Sequence, residues 1–155
     1  MNQLSFSKHD ALSLLLLIHH RAISVDDFCR HASTVEVTLA LRHLTAAGGL
    51  SWGSRPLLLT RDHSATFMAV FSAPERAVRT QQNHPDFGTS LCMPLSWVIR
   101  AATDHMGLVI NPGDRHSFEV DARFLHRLRS TLGATARSQK VLATTSPATA
   151  RRLLA

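Results

Sequence analysis

Over the first third of the chain, apolar residues recur at helical spacing behind recognisable helix-start signals. Ser7-x-x-Asp10 precedes Leu12, Leu14 to Leu17 and Ile18, a helix apolar enough on most sides to be largely enclosed. Ser24-x-x-Asp27 opens a short second helix carrying Val25, Phe28 and Cys29. Ser33-x-x-Glu36 opens a third, through Val35, Leu39, Leu41 and Leu44, and Gly48-Gly49 stops it. Residues 1–48 are therefore predicted to be helical.

After the glycines the period changes to that of strands. Leu50 to Trp52, Leu57 to Thr60 and Ala65 to Phe71 read as three strands of a small antiparallel meander, with turns at Gly53 to Pro56 and Arg61 to Ser64. Ser72-x-Pro74-Glu75 then caps a helix through about Thr80, with proline where a first helical turn tolerates it. A polar loop covers Gln81 to Thr89. Ser90 to Met93 forms a short strand, and Pro94 begins a helix with Leu95, Val98, Ala101 and Ala102 on one face. Gly107-Leu-Val-Ile-Asn-Pro-Gly113 has a narrow reading as a short buried strand broken by a fixed turn. Its three aliphatic residues suit a pleated surface, Pro112 removes a ladder donor, and Gly113 supplies backbone freedom. Together these segments make a strand–helix–strand unit.

Phe118 to Val120 is a last short strand. Asp121 caps a helix striped by Phe124, Leu125, Leu128 and Leu132, which Gly133 ends. From Ala134 the composition turns to Ala, Thr, Ser and Arg, with Pro147 inside it, and reads as a weakly ordered tail with a terminal helix after the proline. The expected fold class is α+β: a helical N-terminus, then a small antiparallel meander and a strand–helix–strand unit packed with helices. One domain spans residues 1–133, with 1–48 helical and 49–133 sheet and helices, and 134–155 form a basic tail.

With 155 residues, 45% of them hydrophobic, the chain buries a core without staples. Cys29 and Cys92 lack CxxC spacing and read as buried thiols of a cytoplasmic protein. A thiol at a helix start is the alternative for Cys92. The longest apolar run, Ala11 to Ile18, is about half what a membrane crossing needs, and the N-terminus has no secretory n-region. The net charge of +6 is unevenly placed. Residues 1–121 hold ten basic and eleven acidic side chains, whereas 122–155 hold seven basic ones and no acid. Fifteen of the seventeen cations are arginine, which favours bidentate pairing with carboxylate or phosphate over diffuse attraction.

The ten histidines lack the spacing of a structural zinc site, so no metal is expected. No nucleophile elbow, phosphate loop or paired-carboxylate pattern is present, and the chain reads as a non-enzyme without a cofactor.

The meander, Phe71-Ser-Ala-Pro-Glu75, Leu91-Cys-Met-Pro94 and the Gly107 to Gly113 run together resemble the N-terminal domain of the SseB family, over roughly residues 35 to 132. Phe71, Ser72 and Glu75 match where that family passes from strand to capped helix. Asn111, Pro112 and Gly113 match where a later strand ends ahead of the final helix. These are scaffold positions, so no active-site residue is carried over. What the resemblance implies is a non-catalytic module used in protein–protein contacts, near secretion or toxin systems.

A second resemblance competes over the first third. Three helices followed by strand–turn–strand, with Leu41-Arg-His-Leu44-Thr-Ala-Ala-Gly-Gly-Leu50 closing the third, look like a winged helix-turn-helix regulator. Glu36, Val37, Thr38 and Arg42 would then enter a DNA groove. The leading expectation is nonetheless a protein-binding module, either an immunity protein that neutralises a toxin or a secretion-system accessory. Its partner is a protein with an acidic surface, met by Arg123, Arg127, Arg129, Arg137, Lys140, Arg151 and Arg152. A winged-helix DNA-binding regulator is the alternative; no membrane partner is expected.

Overall fold

The computed structural model describes residues 10–42, 55–62 and 64–144, with side chains through Ala134. Ser7, Leu44, the Gly48-Gly49 stop, the strand expected at Leu50 to Trp52 and the helix expected after Pro147 lie outside the described residues.

Helix α1 (Ala11–His19) starts at Asp10, whose carboxylate accepts the Ser13 N–H at 3.1 Å. Helix α2 (Val25–Ala32) starts at Ser24, whose hydroxyl accepts the Asp27 N–H at 3.1 Å and donates to the Asp27 carboxylate at 2.9 Å. In both cases a side chain satisfies an otherwise orphaned donor of the first turn.

The third expected helix is a strand. Ser33 donates its hydroxyl to the Cys29 carbonyl at 3.1 Å, so it closes α2 and opens nothing. Residues Glu36–Arg42 form β1, buried from Val37 to Leu41. Val37, Leu39 and Leu41 enter one core and Ala40 the other, a two-residue period that the helical reading overlooked. Strands covered on both faces read as nearly continuous apolar runs, which a short window does not distinguish from a buried helix. With β1 inside the sheet, residues 36–42 form no recognition helix, and the winged-helix expectation falls.

The remaining strands are β2 (Arg55–Pro56), β3 (Leu58–Arg61), β4 (Ala65–Phe71), β5 (Thr89–Pro94), β6 (Met106–Ile110) and β7 (Phe118–Val120). β1 pairs antiparallel with β5 along one edge and with β4 along the other. β4 pairs parallel with β6, which pairs antiparallel with β7. The β1–β4 contact is brief, from Thr38↔Phe71 to Leu39↔Val70. The two then part around Leu57, whose N–H donates to the Ala40 carbonyl and whose carbonyl accepts the Ala69 N–H, each at 2.9 Å. β2 continues along β1 and β3 along β4, so the sheet forks there.

The other helices are α3 (Pro74–Asn83), α4 (Leu95–Ala101) and α5 (Ala122–Thr144), with a 3-10 turn at Pro85–Phe87. The strand–helix–strand unit is present as β5–α4–β6, but β1 and β4 lie between its strands. α5 does not stop at Gly133. A glycine costs a helix about 1 kcal/mol, and the following Ala-Thr-Ala-Arg-Ser-Gln-Lys-Val-Leu-Ala holds enough good helix formers to outweigh it. Cys92 is exposed, because β5 is an edge strand, while Cys29 is buried as expected.

One face of the sheet holds the main core. Leu14 and Leu15 of α1, Phe28 of α2, Leu95 and Ile99 of α4, and Leu125 and Leu132 of α5 close on Val37, Val70, Leu108 and Ile110. The opposite face carries a smaller cluster, in which Ala77 of α3 packs with Ala40, Leu57, Ala69, Phe71 and Val109. Leu59 and Phe67 at its margin are only half-buried.

Candidate functional site

Strands β4 and β6 run parallel, so the turns that follow them emerge at the same end of the sheet. Such ends are where ligands bind open sheets with parallel strands. Here one side chain joins the two turns. Asn111 is 2% exposed and left-handed, at φ 50°. Asparagine tolerates that conformation better than most residues, and its amide supplies what glycine lacks. Its Oδ1 accepts the Ser72 N–H at 2.9 Å and its Nδ2 donates to the Ser72 hydroxyl at 3.1 Å. Its own N–H donates to the Val70 carbonyl at 2.7 Å.

Ser72 was expected to cap α3, yet the cap position is Ala73 and no side chain bonds there. Pro74 accounts for the difference, because it occupies the first turn without an N–H to satisfy. The Ser72 hydroxyl is left for Asn111. Phe71, next to Ser72 in the chain, is fully buried in the smaller cluster.

The clamped Pro112-Gly113 turn borders two adjoining depressions. On the α3 side lies a cleft of about 610 Å³, bordered by Glu75, Arg76 and Arg79 of α3 and by Asp114 and Arg115 of the turn. On the sheet side lies a smaller depression of about 390 Å³ over Leu59, Phe67 and Val109. Arg61 and Glu119, ion-paired at 2.8 Å, line it as well. Gly107 makes its floor possible. A Cβ there would meet the Val120 carbonyl oxygen at 2.5 Å and the Phe67 ring at 2.7 Å.

Within the cleft, Arg76 pairs with the Asp114 carboxylate. The His116 N–H donates to that carboxylate at 3.3 Å. This bond and the neighbouring Arg76 charge outweigh slight desolvation and hold the Asp114 carboxyl below its ordinary value of 3.8. Arg79 and Arg115 are exposed and have no ion pair among the described residues.

The arginines expected on α5 do not act as one set. Arg123 and Arg127 are exposed, one turn apart, and Arg127 stacks over the Phe124 ring at 5.3 Å. Arg129 turns inward. It donates to the Ala102 carbonyl and pairs with Asp104, which also meets His126 at 3.3 Å, and so ties α5 to the α4–β6 connection. Arg137 and Lys140 lie on later turns of α5 whose side chains are outside the description, and Arg151 and Arg152 lie outside the described residues. Sequence reasoning missed Arg76, Arg79 and Arg115. The available signal was the Arg76-x-x-Arg79 spacing and the placement of Arg115 just after the Asn-Pro-Gly turn.

A mixed sheet layered by helices, with two loops locked at the end of its parallel pair, defines an α+β domain whose distinguishing residues are Phe71, Ser72, Asn111, Pro112 and Gly113. The family model for the SseB protein N-terminal domain matches residues 23–127, and the chain belongs to that family. The match starts earlier than the resemblance read from the sequence, taking in α2. Membership suggests a protein-interaction or secretion-related role. Comparison with curated proteins and with solved structures finds no match. Among the described residues, no helix is long and apolar enough to cross a membrane.

Proposed function

We propose that this protein is a non-catalytic cytoplasmic module that recognises the acidic surface of another protein, either neutralising a cognate toxin as an immunity protein or serving a secretion system. The observation that carries this reading is α5. Its 23 residues include no acid, and Arg123 and Arg127 stand exposed above a buried Leu125–Leu128–Leu132 stripe. Rigidly mounted guanidinium groups pair bidentately with carboxylates, steer encounter and discriminate between partners. The stack on Phe124 restrains Arg127 before any partner arrives, which lowers the entropy lost on binding.

The test is affinity capture of the tagged protein from its native cells, washed at low and at roughly physiological salt, with bound protein and nucleic acid both quantified. A stoichiometric protein partner retained at the higher salt, and lost from an R123E/R127E variant, is expected. Recovery of DNA alone, released as salt rises, would overturn the reading. A captured toxin that kills cells lacking this protein selects the immunity role, and a secretion component selects the other.

A further inference from the structure

We infer that the α3 cleft and the adjoining sheet depression form a second docking site, on the opposite face from α5, for an extended acidic segment of a partner protein. Its apolar side chain would sit on Leu59, Phe67 and Val109, and a neighbouring carboxylate would meet Arg79 and Arg115. Four observations support the assignment. The two depressions share Pro112 and Gly113, so they adjoin at the turn and one extended segment can reach both. The floor of one half is apolar and half-buried, since α3 covers the Phe71 and Ala77 end of this face but leaves Phe67 and Leu59 partly open.

The other half carries three guanidinium groups against two carboxylates. Arg76 is held by Asp114, which leaves Arg79 and Arg115 on separate elements facing one rim with only Glu75 as a competing acid. A short acidic segment suits this balance better than a polyanion does, because Glu75, Asp114 and Glu119 would all repel a nucleic-acid backbone. The walls are also fixed in advance. The buried Asn111–Ser72 bonds hold α3 and the turn at one separation, so little order has to be created on binding.

The site can be probed by panning a phage-displayed library of random dodecapeptides on the full-length protein carrying R123E/R127E, which reverses the two exposed arginines that carry the α5 reading. Peptides with an aliphatic or aromatic residue beside Asp or Glu should be enriched. The best of them should lose at least about tenfold in affinity on further substitution R79E/R115E, as expected for loss of charge-assisted hydrogen bonds. Amide shifts of the labelled protein should move at Leu59, Phe67, Val109, Gly113 and Arg115. Enrichment without acidic residues, equal affinity for R79E/R115E with its spectrum otherwise native, shifts mapping to α1 or α5, or the same shifts from inorganic phosphate alone would each overturn the inference. Failure here leaves the α5 reading intact, because the two arginines that carry that reading are reversed in this assay.

Discussion

One face of the sheet lies under four helices and holds twenty-three buried hydrophobic residues of the described chain; the other holds six, under α3 and a 3-10 turn. Every helix on the first face contributes large aliphatic or aromatic side chains, and Leu14, Leu15, Phe28 and Ile99 are wholly buried there. On the second face α3 contributes only Ala77 to the buried set, and its exposed positions include Glu75, Arg76, Val78 and Arg79. The difference teaches where stability and recognition are separated. The thick face supplies most of the apolar burial, so the thin face can leave Phe67 and Leu59 half-open and still remain folded.

This division can be broken or sharpened experimentally. The largest effect is expected in the thick face, where Leu14→Ala should cost about 3–5 kcal/mol in urea unfolding while Leu59→Ala costs under about 1. Equal losses would refute the division. Gly107→Ala comes next, at about 1–3 kcal/mol, because the added methyl must displace Phe67 and the β7 backbone. Asn111→Gly keeps the left-handed backbone but removes the clamp, and should lose about 1–2 kcal/mol while broadening amide signals of the Ser72 and Gly113 turns.

The smallest effect is a pH dependence. Asp114 titrates below its ordinary value in the folded protein, so its contribution is present above the ordinary aspartate range and is lost as pH falls through the lowered value. The stability difference between the wild type and Asp114→Asn should therefore be larger at neutral pH than in acid, shrinking as the pH falls below the ordinary aspartate range. A difference that grew on acidification would contradict the sign.

Features whose partners lie within a few residues were legible in the sequence. Ser24 and Asp121 cap their helices by bonding backbone three residues on, and both were read correctly; Asp10, read as the far end of a start opened by Ser7, is itself the cap of α1. The Phe71-Ser72 and Asn-Pro-Gly motifs were legible as marks of the family, but not as a clamp, because their bond spans 39 residues. β1 was misread because Val35, Leu39 and Leu41 satisfy a helical template, and what decides the matter is hydrogen bonding to β5, far along the chain.

Arg129 illustrates the same limit at the candidate site. In sequence it resembles Arg123 and Arg127, and only the placement of Ala102 and Asp104 turns it inward. Arg79 and Arg115 belong to distant stretches that become neighbours through the parallel β4–β6 pairing, which no local pattern announces.

The Asn111–Ser72 clamp has one further consequence, for how such a domain diversifies. Asn111, which sets the groove's shape, points inward, and the residues that would read its contents, Arg79 of α3 and Arg115 beside the turn, are exposed. Specificity can therefore drift by exchange of exposed side chains without passing through an unfolded intermediate, so that one frame can serve a lineage of unrelated clients.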